Sequence, residues 1–195
     1  AGDSIVMGTN AKVEKTTSTS AVVIGNGAKA TSSTTSASDE GKDVVAIGYL
    51  AQTGASSNIA IGSNSKAIGN SQATAIGYNT NALGYQSVAL GSGANTTASG
   101  GSGVALGRDA QVIVGNGVAL GSASVANVTE GKVGADPLSA TTNKANSTWT
   151  STHSAISVGN GTTVTRQITS VAAGTQDPDA VNVAQLKAAG FVVNT

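Results

Sequence analysis

A short phrase repeats eight times in the first two thirds of this sequence, and it limits the possible folds more than any other feature. Each copy places an apolar residue three positions before a glycine and another directly before it, with Ala or Val between them. Thr74 is the one polar exception at the first of these positions. The repeated glycines are Gly8, Gly25, Gly48, Gly62, Gly77, Gly91, Gly107 and Gly121. Eight consecutive copies predict a repeat architecture rather than a chance alignment.

The spacing inside each copy predicts two short strands joined by a turn. Side chains alternate along a strand, so the two apolar residues before the glycine share one face. Ala, Ser or Thr stands three positions after the glycine, and Val, Ala or Thr stands five positions after it, which is a second pair on one face. The glycines follow one another at intervals of 17, 23, 14, 15, 14, 16 and 14 residues. A 14-residue coil with polar surface insertions predicts a mainly β solenoid, a β-roll whose stacked coils make the apolar pairs into a continuous core.

Composition agrees with a repeat and excludes several other classes of protein. The chain has 195 residues, 26 of them Gly, and much of its 39% hydrophobic content is Ala, which makes a thin core for one compact globule. Ten basic and ten acidic residues balance, which disfavours both disorder and a nucleic-acid partner. No window approaches the roughly 20 apolar residues of a membrane-spanning helix. Cysteine is absent, so disulfides and thiolate metal sites are excluded.

The repeat ends after Ala126, and the remaining third has a different pattern. "HSAISVG" and "TTVTRQITSV" alternate like two strands, with a turn at Gly159–Gly161 between them. "DPDAVNVAQLKAA" predicts a helix, with Asp177 as its N-cap and Pro178 at its first position.

The apolar residues of this predicted helix lie on two sides. Val181, Ala184 and Ala188 form one stripe, while Val183 and Leu186 lie nearly opposite. A helix with two apolar sides needs partners on both, which indicates an oligomer.

Three stretches resemble one known family. "SVALGSGANT" is similar to the repeat of YadA-like heads in trimeric autotransporter adhesins of Gram-negative bacteria. "RQITSVAAGTQDPDAVNVAQLK" resembles the neck of these proteins, and "STWTSTHSAISVGNGTTVTRQI" resembles the tryptophan-ring module that can precede a neck. The resemblance implies a left-handed parallel β-roll in each chain of a homotrimer, followed by a small β module and a neck with a short helix that starts a coiled-coil stalk.

The resemblance also implies a division of the chain and roles for particular residues. The expected units are head repeats at 1–126, a connector at 127–148, a tryptophan-ring-like module at 149–169, a neck at 170–189 and the start of a stalk or next module at 190–195. The residues expected to assemble the trimer are Trp149, Val181, Val183, Ala184 and Leu186.

By this resemblance the protein is a non-enzymatic passenger on the bacterial surface that attaches to host cells or matrix proteins such as collagen, fibronectin or laminin. We expect the outer-membrane anchor of the family to lie outside this sequence. A spacer that only projects another tip of the fibre is the alternative within the same family.

The residues themselves indicate no catalytic, cofactor or metal site. His153 is the single histidine and lacks the spacing of a nucleophile and its base. One His and no Cys cannot supply the three or four ligands of a zinc site. "GNGAKA" at 25–30 is similar to a phosphate-binding loop, but it lies inside the repeat and opens no helix.

Two other solenoid functions fit less well. An ice-binding solenoid needs a regular Thr array, whereas the positions after the glycine are mostly Ala. A left-handed β-helix acyltransferase needs a hexapeptide period and a catalytic His between subunits, whereas the base period here is 14 and His153 lies outside the repeat.

Overall fold

The computed structural model describes residues 3–14, 20–31, 43–135 and 146–191. Each repeat forms a three-residue strand followed by a two-residue strand, and one further strand and a helix follow the repeats. The elements are β1 (Ile5–Met7), β2 (Lys12–Val13), β3 (Val22–Ile24), β4 (Lys29–Ala30), β5 (Val45–Ile47), β6 (Gln52–Thr53), β7 (Ile59–Ile61), β8 (Lys66–Ala67), β9 (Thr74–Ile76), β10 (Asn81–Ala82), β11 (Val88–Leu90), β12 (Asn95–Thr96), β13 (Val104–Leu106), β14 (Gln111–Val112), β15 (Val118–Leu120), β16 (Val125–Ala126), β17 (Ile156–Ser157) and α1 (Val183–Ala188).

The strands form two parallel sheets that face each other along the solenoid. The odd-numbered strands make a nine-stranded sheet in the order β1-β3-β5-β7-β9-β11-β13-β15-β17, and the even-numbered strands make an eight-stranded sheet from β2 to β16. Equivalent repeat positions pair directly, as Val88 does with Thr74 and Val104. The predicted mainly β parallel solenoid with a short helix near the C-terminal end is therefore confirmed.

Each coil turns directly after its three-residue strand. The eight repeat glycines have φ between 102° and 137°, a region that favours glycine. The second residue after each glycine is left-handed too, with φ of 58° at Asn10, 53° at Leu50 and 56° at Asp109. Asn, Gly or Asp fills this position in six of eight copies. This regular left-handed site was visible in the sequence but was not predicted.

The interior of the solenoid is filled by small residues, which corrects the predicted core. The middle residue of the strand is fully buried, as at Val23, Ala60 and Ala89, whereas Leu90 beside Ala89 is 40% exposed. The residues three and five positions after the glycine are also buried, from Ala28 onward along the repeats. The large apolar pair therefore points away from the second sheet, because the narrow space between the sheets accepts Ala, Ser and Thr.

One buried hydroxyl in this interior has no hydrogen-bond partner among the described residues, and it gives a test of the packing. Thr53 Oγ1 is the unpaired atom. Thr96 occupies the same repeat position, but its hydroxyl donates to Ser87 Oγ at 2.8 Å and accepts from Leu83 N–H at 3.2 Å.

We expect Thr53→Val to stabilise the solenoid by about 1 kcal/mol, because it removes an unsatisfied polar group without changing the shape of the side chain. Thr96→Val should destabilise it by about 1–3 kcal/mol, because the partners lose their bonds. Urea denaturation followed by circular dichroism measures both variants. A loss of stability in Thr53→Val equal to that in Thr96→Val would contradict this account.

The segment after the repeats extends the solenoid by one strand. Ile156 pairs with Val118 and Ser157 with Ala119, so β17 is the ninth parallel strand. The second predicted strand of this segment is wrong, since residues 162–169 contain no strand. The Asn160 side chain organises a turn here instead, accepting from the N–H groups of Thr163 at 2.9 Å and Val164 at 2.8 Å.

The helix begins later than predicted. Its N-cap is Asn182 rather than Asp177, so Val181 precedes the helix and is not part of a helical stripe. The reason lies in the preceding turn, where the Asp179 carboxylate accepts from the N–H groups of Thr175 at 2.8 Å and Gln176 at 3.0 Å. These hydrogen bonds lower the pKa of Asp179, the Thr175 backbone first and the Gln176 backbone second.

Candidate interaction surfaces

The outer face of the nine-stranded sheet carries two rows of side chains that are apolar in every repeat except at Thr74. One row contains the residues three positions before each glycine, and the other contains those directly before it. Leu90, Leu106 and Leu120 in the second row are 40%, 39% and 44% exposed. The second row runs through Met7, Ile24, Ile47, Ile61, Ile76, Leu90, Leu106 and Leu120. We call these two rows the apolar face.

The outer face of the eight-stranded sheet is polar in comparison. Its strands begin with Lys, Gln or Asn in seven of eight copies, and these side chains alternate with buried neighbours. Since one sheet presents hydrocarbon to its surroundings and the other presents amides and ammonium groups, only the first has the character of a large buried interface.

Three tyrosines are exposed at the edges between the two sheets. Tyr49 is 53% exposed and Tyr78 is 61% exposed, and each directly follows a repeat glycine. Tyr85, which is 47% exposed, follows Gly84 on the next half-turn. Tyr combines a large apolar ring with a hydroxyl, which makes these side chains candidates for contacts to a protein ligand.

Arg166 ties the segment beyond the repeats to the last coil. Its guanidinium donates to Ser124 Oγ at 3.0 Å and to the carbonyl oxygens of Ser122 and Val158. Gly121 permits this approach, because a Cβ there would lie 3.0 Å from Arg166 Cζ. No pattern in the sequence indicates the contact of Arg166 with Ser122 and Ser124, which lie more than 40 positions earlier.

Trp149 lies half-buried next to a short antiparallel bridge between Val133 and Thr150. The N–H of Gly134 donates to the Trp149 carbonyl at 2.6 Å, which fixes the backbone on that side. Part of the indole surface therefore stays accessible to another molecule.

The segment at 170–189, the predicted neck, exposes most of its apolar side chains on the surface of the single chain. Val181, Val183 and Leu186 are 62%, 51% and 41% exposed, and Ala184 is exposed as well. An open groove of about 410 Å³ runs beside them. Its lining residues are Ile168, Ser170, Val171, Ala180, Val181, Asn182 and Val183. The structure thus brings Val181 and Val183 together at one groove, while Trp149 lies on a separate segment.

Two amide side chains hold the neck in this shape. Asn182 Oδ1 accepts from Gln185 N–H at 3.0 Å, and Gln185 Oε1 accepts from Asn182 N–H at 3.2 Å, which is a capping box. The Gln185 amide also bonds both backbone groups of Gly174, at 3.1 and 3.0 Å.

We expect Asn182→Ala to lower the stability of the neck by about 1 kcal/mol, since it removes the N-cap acceptor. Asn182→Asp keeps the acceptor but, like Asn182→Ala, loses the Nδ2 hydrogen bond to the Val171 carbonyl, so comparing the two variants isolates the N-cap. Amide hydrogen exchange at residues 183–188 measures the change, and equal protection in Asn182→Ala and the parent chain would contradict it.

The titratable groups near His153 do not form a catalytic arrangement. Glu130 accepts from Ser154 Oγ at 3.0 Å, while His153 Nδ1 lies 3.3 Å from Thr152 Oγ1. The pKa of Glu130 is lowered by its own backbone N–H and next by the Ser154 hydroxyl. Among the described residues, the carboxylate thus bonds the Ser154 hydroxyl and not the imidazole. Within the described ranges, no group of three or more His, Asp or Glu could hold a metal ion. No described helix is long and apolar enough to cross a membrane.

Comparisons with known proteins match the repeat and the C-terminal segment to two family models. The family model for the YadA head domain repeat matches two copies at residues 70–94. The family model for the coiled stalk of trimeric autotransporter adhesin matches residues 167–195. Both matches lie where the repeat and the neck were described above.

A curated relative and a solved structure agree with these matches. Autotransporter adhesin BadA of Bartonella henselae is 56% identical over 73 residues, which is 36% of this chain and 2% of the relative. The crystal structure of the collagen-binding domain of Yersinia adhesin YadA superposes with a TM-score of 0.59 at 25% identity, over 96% of this chain and 75% of that one. The chain therefore spans a small fraction of BadA and most of the YadA domain.

Proposed function

We propose that three copies of this chain assemble through the apolar face and attach a bacterium to host matrix or cells. The premise is that the chain is an adhesin head of the trimeric autotransporter type. The repeat and stalk matches, the BadA relative and the YadA structure support that premise. Adhesins of this family are surface-exposed and act by binding rather than by catalysis.

The apolar face is the observation that carries the assembly. Soluble monomers rarely expose contiguous apolar patches beyond a few hundred Å². Here the two rows run from β1 to β15 with Thr74 as their one polar member, and Ile5 and Met7 at one end are 57% and 60% exposed. If sister chains covered the apolar face, each coil would gain a hydrophobic core on its outside, in addition to its thin alanine interior.

The neck and the tryptophan segment support the same assembly. We propose that Trp149, Val181, Val183, Ala184 and Leu186 contact sister chains, since their apolar surface lies open in the single chain. We further propose the division into head repeats at 1–126, a connector at 127–148, a tryptophan-ring-like module at 149–169, a neck at 170–189 and the start of a stalk or next module at 190–195. The stalk match at residues 167–195 supports a neck and stalk at this end.

A matrix protein of the collagen type is the proposed ligand, because the solved relative is a collagen-binding domain. The exposed Tyr49, Tyr78 and Tyr85 are the aromatic contacts available to it on the outside of the solenoid. Three equivalent surfaces in one trimer would raise avidity without new contacts.

The test begins with the solution mass of the chain by light scattering after gel filtration. A mass of three chains with a β-type circular dichroism spectrum is expected, followed by retention on immobilised collagen that a Tyr49→Ser/Tyr78→Ser variant reduces. A folded monomer would contradict the assembly. A trimer that binds no matrix protein and no host cell would make the segment a spacer and contradict the adhesive role.

A further inference from the structure

We propose that the outer face of the eight-stranded sheet binds a linear sulfated polysaccharide that lies along the stacking axis of the solenoid. This inference rests on the proposed adhesive function and names a second class of ligand for it, on a different face from the one assigned to assembly.

Seven hydrogen-bond donors stand in one straight row on this face. Each is the first residue of its two-residue strand and pairs in register with the next, as Lys12 does with Lys29 and Asn81 with Asn95. Neighbours in a parallel sheet lie about 4.8 Å apart, so the row is about 29 Å long. The donor row consists of Lys12, Lys29, Gln52, Lys66, Asn81, Asn95 and Gln111.

The row points outward because its neighbours in the strand point inward. Lys29 stands between Ala28 and Ala30, which are 0% and 1% exposed. The same alternation places Asn95 between buried Ala94 and Thr96. A ligand lying along the axis would therefore meet one ammonium or amide group at each coil.

Positive charge is concentrated at the first four coils of the row. In the described part of this face, the Glu14 carboxylate partly neutralises this positive charge. Its Oε1 lies 2.7 Å from Lys12 Nζ and 4.0 Å from Lys29 Nζ. The side chains of Lys12 and Lys29 remain 51% and 37% exposed in these ion pairs. The Lys12 hydrogen bond lowers the pKa of Glu14, so this carboxylate stays ionised and competes with any anionic ligand.

A groove beside the two lysines has room for a ring. Its volume is about 400 Å³, and it lies over the first three coils. Because Gly27 has no side chain, the Leu50 side chain can lie against it: a Cβ at Gly27 would lie only 2.6 Å from Leu50 Cδ2. Its lining residues are Asn10, Ala11, Lys12, Asn26, Gly27, Lys29 and Leu50. The groove therefore combines cationic and amide donors with one apolar wall.

These groups fit a sulfated sugar polymer by their chemistry. Sulfate oxygens accept hydrogen bonds and carry negative charge, which ammonium groups with three donors satisfy. Sugar hydroxyls both donate and accept, and Asn and Gln amides do the same. A repeated polymer matches a repeated row, and no aromatic platform of the kind that single-stranded nucleic acid uses stands among the described members of the row.

The experiment titrates the full chain with size-defined heparin, measured by isothermal calorimetry at 0.15 M NaCl. Lys12→Gln/Lys29→Gln should weaken binding at least tenfold, and Gln is already tolerated in the row at Gln52 and Gln111. Glu14→Gln should strengthen binding severalfold, since it frees both lysines. Lys132→Gln/Lys187→Gln removes the same charge elsewhere and should leave the affinity nearly unchanged.

Four outcomes would overturn the proposal: no binding of heparin, equal losses in the two lysine pairs, equal binding of desulfated heparin, or tighter binding of single-stranded DNA than of heparin. Collagen retention is measured on the same variants. A parent chain that is retained on collagen but does not bind heparin overturns this inference alone, whereas a parent chain that binds neither overturns the adhesive function as well.

Discussion

Gly91→Ala is expected to destabilise the solenoid by at least about 3 kcal/mol. Gly91 has φ 131°, and a Cβ there would lie 2.6 Å from the backbone carbon and oxygen of Gly107 in the next coil. The substitution therefore adds dihedral strain of about 1–3 kcal/mol and forces adjacent coils apart. Thermal unfolding followed by circular dichroism measures the loss.

Gly131→Ala separates these two causes. Gly131 also has a positive φ, 79°, but apart from its two chain neighbours no atom of the described residues lies within 4 Å of a Cβ built there. We expect it to cost about 1–2 kcal/mol, the price of a left-handed side chain alone. If Gly91→Ala and Gly131→Ala lost the same free energy of unfolding, the close approach of Gly91 to Gly107 would not be the reason that position 91 requires glycine.

Leu90→Glu/Leu106→Glu is expected to convert the proposed trimer into monomers while each chain keeps its solenoid. The two leucines are adjacent in register on the apolar face and 40% and 39% exposed in the single chain. Against sister chains they would become buried, and an unpaired buried carboxylate costs several kcal/mol. Light scattering reports the mass, and circular dichroism reports the fold.

The control places the same charges on the opposite sheet. Asn95→Glu/Gln111→Glu adds two carboxylates to the neighbouring strands of the same two coils, also adjacent in register. This variant should remain a trimer. If both variants dissociated, the apolar face could not be assigned as the interface. If Leu90→Glu/Leu106→Glu unfolded, the two leucines would be shown to stabilise the single chain rather than the assembly.

Much of the fold could be predicted from the repeat. Alignment on the glycine gave the strand register, since Val88 pairs with the positions aligned to it, Thr74 and Val104. The helix was also located, since "DAVNVAQLK" contains most of α1 with its exposed Val183 and Leu186. That these side chains assemble a neck stays a prediction.

The helix start could not be predicted in the same way. Asp177 and Asn182 are both favourable N-caps, and the choice depends on Asp179, which closes the turn at residues 175–179, and on Gln185, which bonds Gly174. The Arg166 contact with Ser124 is similarly invisible, because it joins segments 42 residues apart.

The sequence by itself determined the period, the register and the two faces of each strand. Which face looks inward was decided by the tertiary structure. Hydrophobicity favours burying Leu90 over Ala89, yet Ala89 is fully buried and Leu90 is exposed. Two short sheets joined by tight glycine turns lie too close for large side chains between them, so alanine fills the interior and the larger residues are left on the outside, where sister chains are proposed to cover them.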